Sequence, residues 1–161
     1  MDKNLSWRMP FVWIASVGGV GFIPFAPGTW GSAVAIALAV PIITLEHSAV
    51  FLLGISIGAY FVGQCASAQW LHRTDAQDPS AIVIDEVVGQ WLTLAIIAAF
   101  MPITYQELLA AFILFRFFDI VKPFPIGWID SNIKGARGVM LDDIVAGIMA
   151  GLVYLLATTF L

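Results

Sequence analysis

Residues 47–72, HSAVFLLGISIGAYFVGQCASAQWLH, run for 26 positions without an Asp, Glu, Lys or Arg. At 1.5 Å per residue a helix of that length reaches about 39 Å, more than the roughly 30 Å hydrocarbon core of a bilayer. Three further stretches, 28–45, 87–106 and 144–161, are equally free of charge. Of the 161 residues, 60% are hydrophobic and 11% charged. A water-soluble domain of this size needs a denser charged exterior, and a disordered chain needs a far less apolar composition. The expected fold is an all-α membrane protein, a compact bundle of about five transmembrane helices filling 1–161 as one integral-membrane domain. Five spans take about 100 residues at about 20 each. Loops and a short N-terminal segment use the rest, so no soluble domain is expected.

The N-terminal stretch reads differently. Pro10, Gly18, Gly19, Gly21, Pro24 and Pro27 interrupt it, so neither a continuous span nor a cleaved signal peptide is expected there. Residues 11–17 suit a short interfacial or re-entrant helix. Spans are then expected over 29–45, 48–70, 85–101, 104–119 and 142–161, with 126–134 lying at the interface. Gly28-Thr29 supplies the break and N-cap of the first. The single cysteine, Cys65, has no intramolecular disulfide partner, and its apolar run predicts a small buried residue.

This arrangement puts all seven basic residues, Lys3, Arg8, Arg73, Arg116, Lys122, Lys134 and Arg137, at one side. The opposite connections carry Glu46 and Glu107 and no Lys or Arg. The positive-inside rule makes the basic side cytoplasmic, with the C-terminus outside. A net charge of −4 and the lack of a basic stripe exclude a nucleic-acid footprint.

Acidic residues crowd the same side: Asp75, Asp78, Asp85, Glu86, Asp119, Asp130, Asp142 and Asp143. Asp85-Glu86 and Asp142-Asp143 stand at expected helix starts, where the helix dipole alone could account for them. Two adjacent pairs beside apolar sequence suggest more, because carboxylates at a membrane boundary cost desolvation unless paired or metal-bound. Such a cluster suits a hard divalent cation, Mg²⁺ above all, which takes carboxylate, water and phosphate oxygens. No Cys/His set for zinc exists. His47 and His72 read as solitary interfacial imidazoles, with a headgroup contact conceivable for His72.

Two further features complete the constellation. Residues 25–32, FAPGTWGS, carry a Gly turn into a helix start with the hydroxyls of Thr29 and Ser32, a place where backbone N–H groups face an anion. No Walker loop occurs. Residues 116–125, RFFDIVKPFP, set Arg116 and Asp119 on one helix face and offer Arg116 and Lys122 to an anionic headgroup. Carboxylates for a metal, an anion-binding helix start and two cations describe a site for a phosphate ester, and the apolar surroundings suggest a lipid ester. The motifs of phosphatidyl-alcohol transferases, type 2 phosphatidate phosphatases and Asp-x-Asp-x-Thr phosphatases are absent.

The stretches PFAPGTWGS (24–32), DPSAIVIDEVVGQW (78–91), RFFDIVKPFPIGWID (116–130) and GVMLDDIVAGIMAG (138–151) together resemble the phosphatidylglycerophosphatase A family in order and spacing, from about residue 10 onward. The resemblance implies Mg²⁺-dependent hydrolysis of phosphatidylglycerophosphate to phosphatidylglycerol and phosphate at the cytoplasmic face of the bacterial inner membrane. The lipid substrate is supplied by that resemblance and not by composition.

On this reading Asp85, Glu86, Asp119, Asp142 and Asp143 are the candidate metal-site carboxylates, with Asp119 alternatively orienting Arg116. Glu86 is the favoured base, and Asp85, Asp143 and Arg116 complete the catalytic set. Thr29, Ser32, Arg116 and Lys122 would hold the phosphate. Direct attack by water is favoured over an aspartyl-phosphate, and the oligomeric state stays open. A small ion or anion transporter without hydrolytic activity is the alternative, although the internal repeat it would carry is not evident. A structural membrane subunit would not need such a polar cluster.

Overall fold

The computed structural model describes residues 5–74 and 79–160. Lys3, Asp75 and Asp78 lie outside the described residues. Among those described there are seven α-helices and no strand: α1 Pro10–Ala15, α2 Pro27–Ile43, α3 Ser48–Arg73, α4 Ile84–Ala98, α5 Tyr105–Val121, α6 Ile126–Asn132 and α7 Ala136–Phe160. Two of them, α3 with 26 residues and α7 with 25, are long and apolar enough to cross a membrane, and α2 is apolar but shorter.

The helix boundaries follow local chemistry. Thr104 opens α5 with a capping box: its hydroxyl accepts the Gln106 N–H at 3.2 Å, and Glu107 accepts the Thr104 N–H at 2.8 Å. Lys122 closes the same helix in a left-handed conformation, φ 47°, directly before Pro123.

Two expected starts are corrected. Helix α2 begins at Pro27 rather than Thr29, because proline suits the first helical position and Ala26 turns the chain at φ 48°. Thr29 is therefore inside the first turn and is not the N-cap. Helix α7 begins at Ala136, after Gly135 at φ 75°. Asp142 and Asp143 thus sit in the second turn, beyond the free N–H groups of the helix start, and dipole capping does not account for them. A third correction concerns Cys65, which is exposed. The inward face of α3 is made by Leu52, Ser56, Gly63, Ala66, Ser67 and Trp70 instead.

Helix α4 is the hub. It packs against α2, α3, α5 and α7 and buries Asp85, Val87, Val88, Gly89, Gln90, Thr93, Leu94, Ala95 and Ile97. Side-chain bonds to neighbouring backbones tie it in: Ser56 donates to Val88 O at 3.0 Å, Trp91 to Ala35 O at 2.9 Å, and Thr93 to Gly147 O at 3.1 Å. These contacts also fix direction. Ser56 meets Val88 while Gly63 meets Ile84, so α3 is antiparallel to α4. Ala35 meets Trp91 and Gly28 meets Glu86, so α2 is parallel to it. Tyr154 donates to Glu107 at 3.0 Å, joining the end of α7 to the start of α5.

The α4–α7 crossing depends on glycine. A Cβ on Gly89 would lie 2.5 Å from Asp143 O, and one on Gly147 would run into the Gly89 backbone. The helices run parallel there, so the residues one turn earlier, Asp85 and Asp143, also face each other. Helix α1 buries Phe11, Val12 and Ala15 against Ala66, Trp70 and Ile82. The Ala15 carbonyl accepts the Val83 N–H at 2.9 Å, which holds the approach to α4 in place. The described basic residues gather where α3 and α5 finish and α7 starts.

Candidate active site

At that basic end the starts of α2, α4 and α7, the end of α5 and the α6–α7 turn surround a cavity of about 400 Å³. Its wall includes six carboxylates, Asp85, Glu86, Asp119, Asp130, Asp142 and Asp143, and three cations, Arg116, Lys122 and Lys134. The first turn of α2 contributes Pro27 and Gly28, and the loop before α4 contributes Ser80 and Ile82.

The parallel α4–α7 crossing brings Asp85, Glu86 and Asp143 together. Each offers a carboxylate oxygen, and these oxygens lie within 4.8 Å of one another. Asp85 is 8% and Asp143 3% exposed. Asp85 also touches Glu86, and Asp143 touches Asp119. Among the described residues no Lys or Arg pairs with Asp85 or Asp143, and Glu86 Oε2 is buried without a partner. Buried like charges in contact require a counter-charge or protons. An all-oxygen donor set with an orphaned carboxylate oxygen is the environment a hard divalent cation requires, so these residues fit Mg²⁺.

Arg116 reaches this cluster from α5. One guanidinium nitrogen lies 2.5 Å from Asp119 Oδ2 and 3.9 Å from Glu86 Oε1, and donates to Ser32 Oγ at 3.4 Å. Ser32 is buried and donates to Gly28 O at 3.0 Å. It contacts Arg116 and does not line the cavity. Gly28 matters for closeness: a Cβ there would overlap Glu86 Oε1 and lie 3.1 Å from the Arg116 guanidinium. Thr29 is half-buried and likewise absent from the cavity wall.

Lys122 forms a second node. Its ammonium donates to Asp130 Oδ1 and Asp142 Oδ2, both at 2.7 Å. Burial pulls its pKa down, but the two carboxylate bonds outweigh burial and hold it above the ordinary lysine value. Of the five expected metal-site carboxylates, then, Asp85, Glu86 and Asp143 converge, Asp119 pairs with Arg116, and Asp142 pairs with Lys122. Ser80, Asp130 and Lys134 were not among the expected site residues. Ser80 and Asp130 lie inside the quoted stretches 78–91 and 116–130, and Lys134 stands four residues beyond the second. His72 is exposed near the end of α3, outside the wall.

Comparison with known proteins gives this arrangement its context. Residues 13–158 match the phosphatidylglycerophosphatase A family. The chain belongs to that family. A phosphatidylglycerophosphatase A of Escherichia coli (strain K12) is 39% identical over 156 residues, covering 94% of this chain and 86% of that protein. One of Haemophilus influenzae (strain ATCC 51907 / DSM 11121 / KW20 / Rd) is 37% identical over 155 residues, covering 94% of this chain and 90% of its own. No solved structure matches the chain. Membership makes the protein a phosphatase and disfavours the transporter alternative. All four stretches that carried the resemblance fall inside the matched range, and each supplies residues to the cavity wall or to its support.

Proposed function

We propose that the protein hydrolyses phosphatidylglycerophosphate to phosphatidylglycerol and phosphate with Mg²⁺, at the cytoplasmic face of a bacterial inner membrane. The names of its relatives support the substrate. The chemistry rests on one observation: the carboxylate oxygens of Asp85, Glu86 and Asp143 converge within 4.8 Å, with Arg116 beside them.

Asp85, Glu86 and Asp143 would hold the cation. Mg²⁺ bound there supplies charge neutralisation for the phosphoryl group and acidifies water. Glu86 accepts the proton of the attacking water. Arg116, held by Asp119 and Ser32, stabilises the charge on the phosphoryl oxygens in the transition state. The Gly28 amide, in the first turn of α2 at the cavity wall, would face the same anion. Lys122 contributes a fixed positive charge, and Asp142 keeps it in place. Glu86 then gives that proton to the glycerol oxygen as the P–O bond breaks, and inorganic phosphate departs.

The test is phosphate release from phosphatidylglycerophosphate by purified protein in detergent. Activity is expected to vanish with EDTA and return with Mg²⁺. No release from the lipid would sink the reading, and full turnover after rigorous chelation would remove the metal from it.

For the membrane arrangement we favour five spans, α2, α3, α4, α5 and α7, with α1 and α6 at the interface. The alternating helix directions support this, as does the gathering of basic residues at one end. Helix α4 has 15 residues, about 22 Å, but it is enclosed by its neighbours and need not match the bilayer alone. Reporter fusions after residue 161 and within 72–84 should then report opposite sides. A shared side for both would eliminate five spans.

A further inference from the structure

Two of the three cations in the cavity wall are already held by carboxylates, Arg116 by Asp119 and Lys122 by Asp130 and Asp142. Lys134 is different. It is exposed in the turn between α6 and α7, and its ammonium donates to Asp130 O at 3.3 Å. Among the described residues no carboxylate pairs with it. An ammonium carries three donors, so two remain to face a ligand.

Its position is set by a chain of contacts. The Asp130 carbonyl holds Lys134, the Asp130 carboxylate holds Lys122, and Lys122 holds Asp142 beside Asp143. Lys134 is therefore linked to Lys122 through Asp130 and is an exposed member of the same cavity wall. At about 400 Å³ that cavity is of ligand-pocket size, far more than one oxyanion needs. In a wall with six carboxylates, a second anionic group finds its favourable place at the unpaired cation.

We propose that Lys134 binds the internal phosphodiester of the substrate while the terminal phosphomonoester sits at Arg116, so that Lys134 sets the preference for lipids with two phosphates over lipids with one. This rests on the lipid phosphomonoesterase reading above. The glycerol between the two phosphates spans from one cation to the other. A lipid with a single phosphomonoester on its diacylglycerol leaves Lys134 without an anion.

The experiment compares kcat/KM for phosphatidylglycerophosphate and for a single-phosphate diacylglycerol phosphomonoester, in the same detergent and salt. Lys134→Ala should lower the ratio of the two by about 10- to 100-fold, the range expected for one lost charged hydrogen bond, mainly through KM. Lys134→Arg should keep most of the ratio. Arg137→Ala, which removes a neighbouring cation outside the cavity wall, should leave it unchanged. An unchanged ratio in Lys134→Ala, or an equal fall in Arg137→Ala, overturns the assignment. Wild-type protein that hydrolyses neither lipid overturns the phosphatase reading itself, and this one with it.

Discussion

Glu86→Gln should lower turnover by about 10²- to 10⁴-fold, the range for losing a general base, and leave the fold intact. Asp143→Asn should cost a comparable factor. The double variant should cost far less than the product of the two, because parts of one catalytic unit are not additive. A dipole-capping role predicts something else: about 0.3–1 kcal/mol of stability and near-normal turnover. That alternative applies only to Asp85 and Glu86, in the first turn of α4; Asp143 is already excluded by its place in the second turn of α7. Thermal unfolding separates the roles further. Mg²⁺ should raise the Tm of the wild type and not that of the double variant, since binding to the folded state alone stabilises it. In metal-free protein each neutral substitution should hold or raise Tm, because it removes like-charge contact among buried carboxylates. Single variants with near-normal turnover and an unchanged Mg²⁺ response would leave this cluster with no catalytic role.

Much of this site was legible because its signals are local. The i,i+3 pair Arg116–Asp119 follows from helix geometry, and the stretches 78–91 and 116–130 are contiguous in sequence. The start of α7 was misread because Asp142-Asp143 imitates an acidic first turn. The true start follows the left-handed turn at Gly135, in a segment with no capping side chain. Cys65 was misplaced for another reason. In a helix that is apolar all round, hydrophobicity does not mark the inner face, and residue size does not either: Gly63, Ala66 and Ser67 face inward while Gly58 and Cys65 face outward. The Lys122–Asp142 pair joins residues 20 apart through the turn of α6, and no local pattern announces it. The Ser32 hydroxyl, read as a phosphate ligand from its place near a helix start, is buried and accepts a hydrogen bond from Arg116.

Least legible of all was the crossing that assembles the site, and it carries the second large expected effect. Gly147→Ala should destabilise the protein by about 1–3 kcal/mol, the usual cost of overpacking a tight contact, and lower turnover at the same time. The added methyl would meet the Gly89 backbone, with Gly89 C at 3.1 Å and Cα at 3.2 Å. Backbone cannot swing aside as a flexible side chain can, so α4 and α7 must separate or rotate. The Thr93 hydroxyl, which bonds both Gly89 O at 2.9 Å and Gly147 O at 3.1 Å, loses one of those partners. One turn away, the same separation carries Asp143 from Asp85 and Glu86, so a substitution that touches no catalytic atom should still weaken the Mg²⁺ response. Gly54→Ala is the matched control. It makes the same chemical change within a helix where nothing lies within 4 Å of the new Cβ, and alanine is the better helix former by about 0.8–1 kcal/mol. Its Tm should stay level or rise, with turnover unchanged. Equal behaviour of the two variants, in unfolding, turnover and Mg²⁺ response alike, would show that the α4–α7 contact does not position the carboxylates.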